Sequence, residues 1–134
     1  MTEQNETHRH TISEEVWQDL GVPDNAQKET APDLISLVGA VELWAIGRGL
    51  NLSDSKAQFT KTVEEVGEIA SALCRNDIDL LKDSIGDVIV TLIILAQQNN
   101  TTIDECLNLA YNEIANRKGK MVNGVFVKES DLNE

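Results

Sequence analysis

Two long helical patterns meet across three residues, and this junction limits the possible folds more than any other feature of the chain. Phe59, Val63, Val66, Ile69, Ala70 and Leu73 recur at helical spacing, and Arg75-Asn76-Asp77 follows them. A second pattern, apolar almost all round from Ile85 to Ala96, comes next. Three residues allow only a tight turn, so the second helix must double back antiparallel to the first. A helix that is apolar on every side sits in the middle of a bundle or in an oligomer interface. Its longest apolar run, Val88 to Ala96, is far short of the roughly 20 residues that cross a bilayer. It reads as a buried core helix, and no membrane partner is expected.

The flanking segments fit the same all-α scheme. Leu34, Ile35, Leu37, Val38, Val41, Leu43, Trp44 and Ile46 predict a helix with Pro32 in its first turn, closing at Gly47 and Gly49. Ser53 or Asp54 is placed to cap the Phe59 helix. Asn99-Asn100-Thr101 ends the apolar helix, and Thr102 with Glu105 forms a capping box for a fourth helix. That helix carries Cys106, Leu107, Leu109, Ala110 and Ile114 and is expected to stop at Gly119. Asn123-Gly124, set between Met121-Val122 and Val125-Phe126, is a hairpin signal. The expected architecture is a four-helix, all-α bundle with a short β-hairpin-like tail over residues 32–134, preceded by a flexible extension over residues 1–31. Within that extension Ser13 to Leu20 reads as a short capped helix and residues 24–31 as a linker, while His8 and His10 read as solvated side chains.

Charge narrows the function. The 134 residues carry a formal net charge of −12 with only 11 Lys and Arg, which would repel a phosphate backbone and excludes a general nucleic-acid partner. An acidic protein acting on an anionic substrate needs a cation between the two. Cys74 and Cys106 stand far apart, outside any CxxC or Cys/His cluster, so neither zinc nor a disulfide scaffold is implied. With a polar N-terminus, MTEQNETHRH, this suggests a reducing, cytoplasmic setting.

The acidic residues are distributed unevenly. Glu64, Glu65 and Glu68 lie on the helix before the junction, and Asp83 and Asp87 on the helix after it. Glu65 is eleven residues before Asn76 and Asp87 eleven after; Glu68 is eight before and Ser84 eight after. In an antiparallel hairpin Glu65 therefore stands level with Asp87, and Glu68 level with Ser84 and close to Asp83. Like charges in this arrangement repel, by about 0.2–0.5 kcal/mol for each i, i+4 pair and by more across two helices. No Lys or Arg follows these residues at i+4, and Lys61 precedes them in the weaker orientation. A hard divalent cation would offset the repulsion, and an all-oxygen set suits magnesium, with manganese able to substitute. A merely solvated acidic face is the competing explanation. Gly67 and Gly86 adjoin the candidate ligands, giving either close helix approach or room for a ligand.

The segment Phe59 to Leu95, with EEVGE on one helix and DSIGD opening the next, resembles the MazG-like nucleotide pyrophosphohydrolases of the all-α NTP pyrophosphatase superfamily. Their pattern is EExxE, a spacer, then ExxD. Glu64, Glu65, Glu68 and Asp87 match it, and Ser84 stands where the second glutamate group begins, with Asp83 beside it. The similarity extends from about Leu34 to Leu132 and includes the ending NEIANRKGKMVNGVFVKESDL. The resemblance implies a magnesium-dependent hydrolysis of a nucleoside triphosphate to the monophosphate and pyrophosphate. It also implies Glu65, Glu68 and Asp87 as metal ligands, Glu64 as a water-orienting carboxylate, and Asp83 or a water in place of the ligand lost at Ser84. Catalysis would then rest on Glu64, Glu65, Glu68 and Asp87. Lys61, Asn112, Asn116 and Lys118 are candidate substrate contacts; Lys61 otherwise reads as a surface lysine, and the basic cluster with Arg117 and Lys120 as helix-dipole complementation. Trp44 and Phe59 could stack on a base, although core packing is the commoner role of such rings. A homodimer or homotetramer is expected from the apolar helix and from the resemblance. Two other readings stay open: a non-catalytic nucleotide- or cation-binding regulatory module, and a helical interaction scaffold.

Overall fold

The structure is a computed structural model and describes residues 31–133. The chain divides between Leu37 and Val38 into two units. The expected extension with its Ser13 helix, and His8 and His10, lie outside the described residues. Four α-helices follow in order: α1 (Leu34–Gly47), α2 (Ser55–Arg75), α3 (Ile78–Gln98) and α4 (Ile103–Ile114). A 3-10 turn at Leu50–Leu52 joins α1 to α2. After α4 come β1 (Gly119–Val122), β2 (Val125–Lys128) and a second 3-10 turn, Glu129–Asn133. The fold is the expected all-α bundle with a small antiparallel tail. No described helix is long and apolar enough to cross a membrane.

Side-chain caps set most helix starts. Asp33 accepts the Ser36 N–H at 2.8 Å, so α1 begins at Leu34 and Pro32 stays just outside it. Asp54 caps α2 by accepting from the N–H groups of Lys56 and Ala57, and Asp77 caps α3 by accepting from Leu80. Thr102 and Glu105 form the full reciprocal box on α4. The turn between α2 and α3 is tighter still. Asn76 adopts the left-handed conformation, φ 53°, and its N–H donates to the Leu73 carbonyl while that of Asp77 donates to Ala72 at 3.0 Å. This Schellman closure ends one helix, and the next residue caps the following one.

Small residues lie where α2 meets α3: Thr62, Ala72 and Ser84 are buried, with Thr91, Ile93, Ile94 and Ala96 further along α3. The Gln58 side-chain amide crosses to the Thr91 carbonyl at 3.0 Å. Gln97 and Gln98 donate to the carbonyls of Glu42 and Leu50, tying the middle of α1 and the 3-10 turn to α3. Two expectations need correction. The apolar helix is not covered all round: Ser84, Thr91, Ile93, Ile94 and Ala96 are buried, while Ile85, Ile89 and Leu92 form an exposed stripe; α2, the 3-10 turn and α4 do not cover its whole girth. The fourth helix ends at Ile114, not Gly119, because Gly119 pairs with Lys128 in the hairpin. A side chain at Gly119 would collide with the Val127 carbonyl and the Phe126 ring. Asn123 and Gly124, both at positive φ, form the hairpin turn as the Asn-Gly pair predicts.

Candidate metal centre

α2 and α3 bring three carboxylates together. Glu65, Glu68 and Asp87 each place an oxygen so that all three atoms lie within 4.8 Å of one another. Glu65 and Asp87 are partly buried and Glu68 is exposed. The height-matching of Glu65 and Asp87 across Asn76 is the geometry behind this cluster. At such a separation each like-charge pair costs about 1 kcal/mol in water-like surroundings and about 3 at the dielectric of a protein surface.

The electrostatics register that cost. Asp87 is held above the usual carboxylate value, first by burial and then by the negative charges of Asp83 and Glu65, with Lys61 pulling the other way. The Lys61 ammonium donates to Glu64 Oε2 at 3.0 Å and reaches Glu65 Oε1 at 3.1 Å. Hydrogen bonds to Glu64 and then Glu65 raise its own affinity for its proton. One ammonium against three converging carboxylates leaves the site strongly anionic. The donors are all hard carboxylate oxygens on two adjoining helices, a set that fits magnesium or manganese with coordination sites left for water and phosphate.

The other sequence-nominated residues stand around this cluster in different ways. Asp83 is exposed on the preceding turn of α3 and acts on Asp87 through its charge, without joining the three. Ser84 is fully buried, and its hydroxyl donates to the Leu80 carbonyl at 2.8 Å. Glu64 is exposed and paired with Lys61. A Cβ added at Gly67 or Gly86 would meet nothing within 4 Å. These glycines therefore leave open space beside the carboxylates; they are not points of close helix approach. Trp44 and Phe59 are both exposed, so neither ring is core in this chain, and the Arg48 guanidinium covers the Trp44 ring at 4.2 Å. Asn112, Asn116 and Lys118 are exposed at and beyond the end of α4, and the three carboxylates converge without them. Arg117, three residues past the end of α4, pairs back to Glu113 in its last turn at 2.6 Å.

The contact that sequence reasoning discounted is the one from Lys61 to Glu65. Its signal was the i, i+4 spacing, set aside because the lysine precedes the glutamate. A separate apolar groove of about 370 Å³ lies between α3 and α4, lined by Leu92, Leu95, Ala96, Asn99, Thr101, Ile103 and Cys106. It holds no acidic residue.

Comparison with known proteins bears on the same stretch. The family pattern described as MazG nucleotide pyrophosphohydrolase domain matches residues 54–122, which contain all three carboxylates. An uncharacterized 18.2 kDa protein in the rep-hol intergenic region of Haemophilus phage HP1 (strain HP1c1) is 46% identical over 70 residues. That match covers 51% of this chain and 42% of the phage protein, so the chain spans less than half the length of this relative. No solved structure matches the chain.

Proposed function

Since the chain belongs to the MazG nucleotide pyrophosphohydrolase family, we propose that it is a magnesium-dependent hydrolase converting nucleoside triphosphates, ribo or deoxy, to the monophosphate and pyrophosphate. The observation that carries this reading is the convergence of Glu65, Glu68 and Asp87 within 4.8 Å inside the family-matched stretch. These three would hold the cation. When bound, it would neutralise charge on the triphosphate and make a water more acidic.

The chain's own groups do the rest. Water supplies a hydroxyl to the α-phosphate, the bond from the α phosphorus to the α,β-bridging oxygen breaks, and pyrophosphate leaves with that oxygen. The water's second proton passes to a carboxylate, and Glu64, exposed and beside Glu65, is the residue assigned to orient that water and accept the proton. Trp44, Asn112, Asn116 and Lys118 are proposed substrate contacts. α4 buries none of its residues, and Leu107, Leu109 and Tyr111 on it are exposed. A partner copy covering α4 would bury them, which supports a homodimer or homotetramer. A cytoplasmic location is part of the same reading.

The test is release of pyrophosphate from a panel of NTPs and dNTPs with and without magnesium, alongside Glu65→Gln and Asp87→Asn. Turnover that needs magnesium and vanishes in both folded variants supports the enzyme. One observation favours a second reading: Ser84 spends its hydroxyl on Leu80, leaving three clustered carboxylates where the family resemblance implies four ligands. Nucleotide binding without turnover would make the chain a regulatory binder, and neither binding nor turnover would leave a scaffold.

A further inference from the structure

We propose that Lys61 is an exchange group at this site: its ammonium holds Glu65 until a divalent cation takes the carboxylate, and then turns to the phosphates of the substrate. The proposal rests on the metal-binding reading above and assigns one residue's part in it. Among the described residues Lys61 is the one cation ion-paired to a member of the carboxylate cluster. Its ammonium bridges an exposed carboxylate, Glu64 at 60% exposure, and a nearly covered one, Glu65 at 12%, while Lys61 itself is 56% exposed. It therefore reaches the cluster from the solvent side, where a polyphosphate would arrive.

The helix does little to secure the contact. A lysine four residues before its glutamate is the weaker intrahelical order, and an exposed lysine gives up side-chain freedom to hold it. A doubly charged ion at the same oxygens offsets more of the cluster's charge than a single ammonium, so Lys61 is the partner displaced. Once displaced, it remains anchored one helical turn from Glu65, a mobile positive charge at the mouth of the site. A triphosphate brings several negative charges to a chain of net charge −12, and a lysine is a common point-charge partner for phosphate.

This arrangement predicts opposite effects on two affinities. Manganese binding, followed by the electron paramagnetic resonance of the free ion in the absence of nucleotide, should tighten about fivefold in Lys61→Met. Binding of a triphosphate analogue with an imido bridge between its α and β phosphates, measured at saturating manganese, should weaken about tenfold in the same variant. Lys61→Arg keeps the charge and should restore most of both. Lys82→Met, which removes a nearby exposed charge on α3, controls for long-range electrostatics and should change each affinity less than about twofold. Because Lys61 is exposed, the substitution leaves the core untouched, and Lys61→Gln provides a second neutral variant. If the wild-type chain binds manganese and Lys61→Met alters neither affinity, or only the first, the exchange role is wrong while the metal site stands. If the wild-type chain binds no manganese, both fall.

Discussion

Removing one charge from the carboxylate cluster should stabilise the protein in the absence of divalent cations and destabilise it, relative to wild type, in their presence. Asp87→Asn preserves shape and deletes the charge that faces Glu65 and Glu68 at no more than 4.8 Å. Each of those repulsions is about 1 kcal/mol at the dielectric of water and larger at a protein surface. Solvent screening and the opposing pull of Lys61 reduce the total, so a net gain of about 1–2 kcal/mol is expected in EDTA. For a domain of this size that corresponds to a rise of about 3–7 °C in Tm. Manganese should reverse the order. A ligand at 100 times its Kd adds about 2.7 kcal/mol to the form that binds it, and the variant, with one donor weakened, gains less. Differential scanning fluorimetry across a manganese titration reads both limbs. A lower Tm for Asp87→Asn in EDTA would show that the carboxylate is stabilised by its surroundings, and the electrostatic argument would fail.

The same residue fixes a pH dependence. Burial, then Asp83, then Glu65 raise Asp87, so the folded chain holds this proton more tightly than the unfolded chain. The associated stabilisation is complete below the unfolded value and is lost as pH rises through the folded one. The advantage of Asp87→Asn in EDTA should therefore shrink on acidification and grow toward neutrality, as Tm measured from acid to neutral pH will show. Gly86→Ala should raise stability by about 1 kcal/mol, because a helical glycine is replaced and the new methyl meets nothing; a raised KM in the same variant would place substrate in that space. Thr102→Ala, which removes the hydroxyl that accepts the Glu105 N–H and leaves only the backbone half of the capping box, should cost about 1 kcal/mol in urea unfolding. No change would mean that α4 is held by contacts other than its cap.

Much of the framework could be read before any coordinates. Asn76 marks the turn, and counting eleven residues either way pairs Glu65 with Asp87; the caps at Asp54 and Thr102 and the Asn123-Gly124 hairpin follow from local chemistry that tertiary packing did not override. Other placements were less legible. Asp83 and Asp87 are four apart and share a face of α3, yet only Asp87, one turn nearer the level of Glu65, joins the cluster. Lys61 was underrated because the ordering preference of a single ion pair ignores that one ammonium bridges both Glu64 and Glu65. The exposure of Trp44 and Phe59 was also illegible, since periodicity names an apolar face without saying whether this chain or another covers it.

The joint at Asn76 has a consequence for how such a chain can diverge. Exchanging a surface residue on α2 or α3 leaves Glu65 and Asp87 facing each other. Inserting or deleting a single residue between Asp77 and Asp87 swings the aspartate by about 100° and slides it about 1.5 Å along the axis. Drift by substitution is open to these two helices, while indels within them are closed.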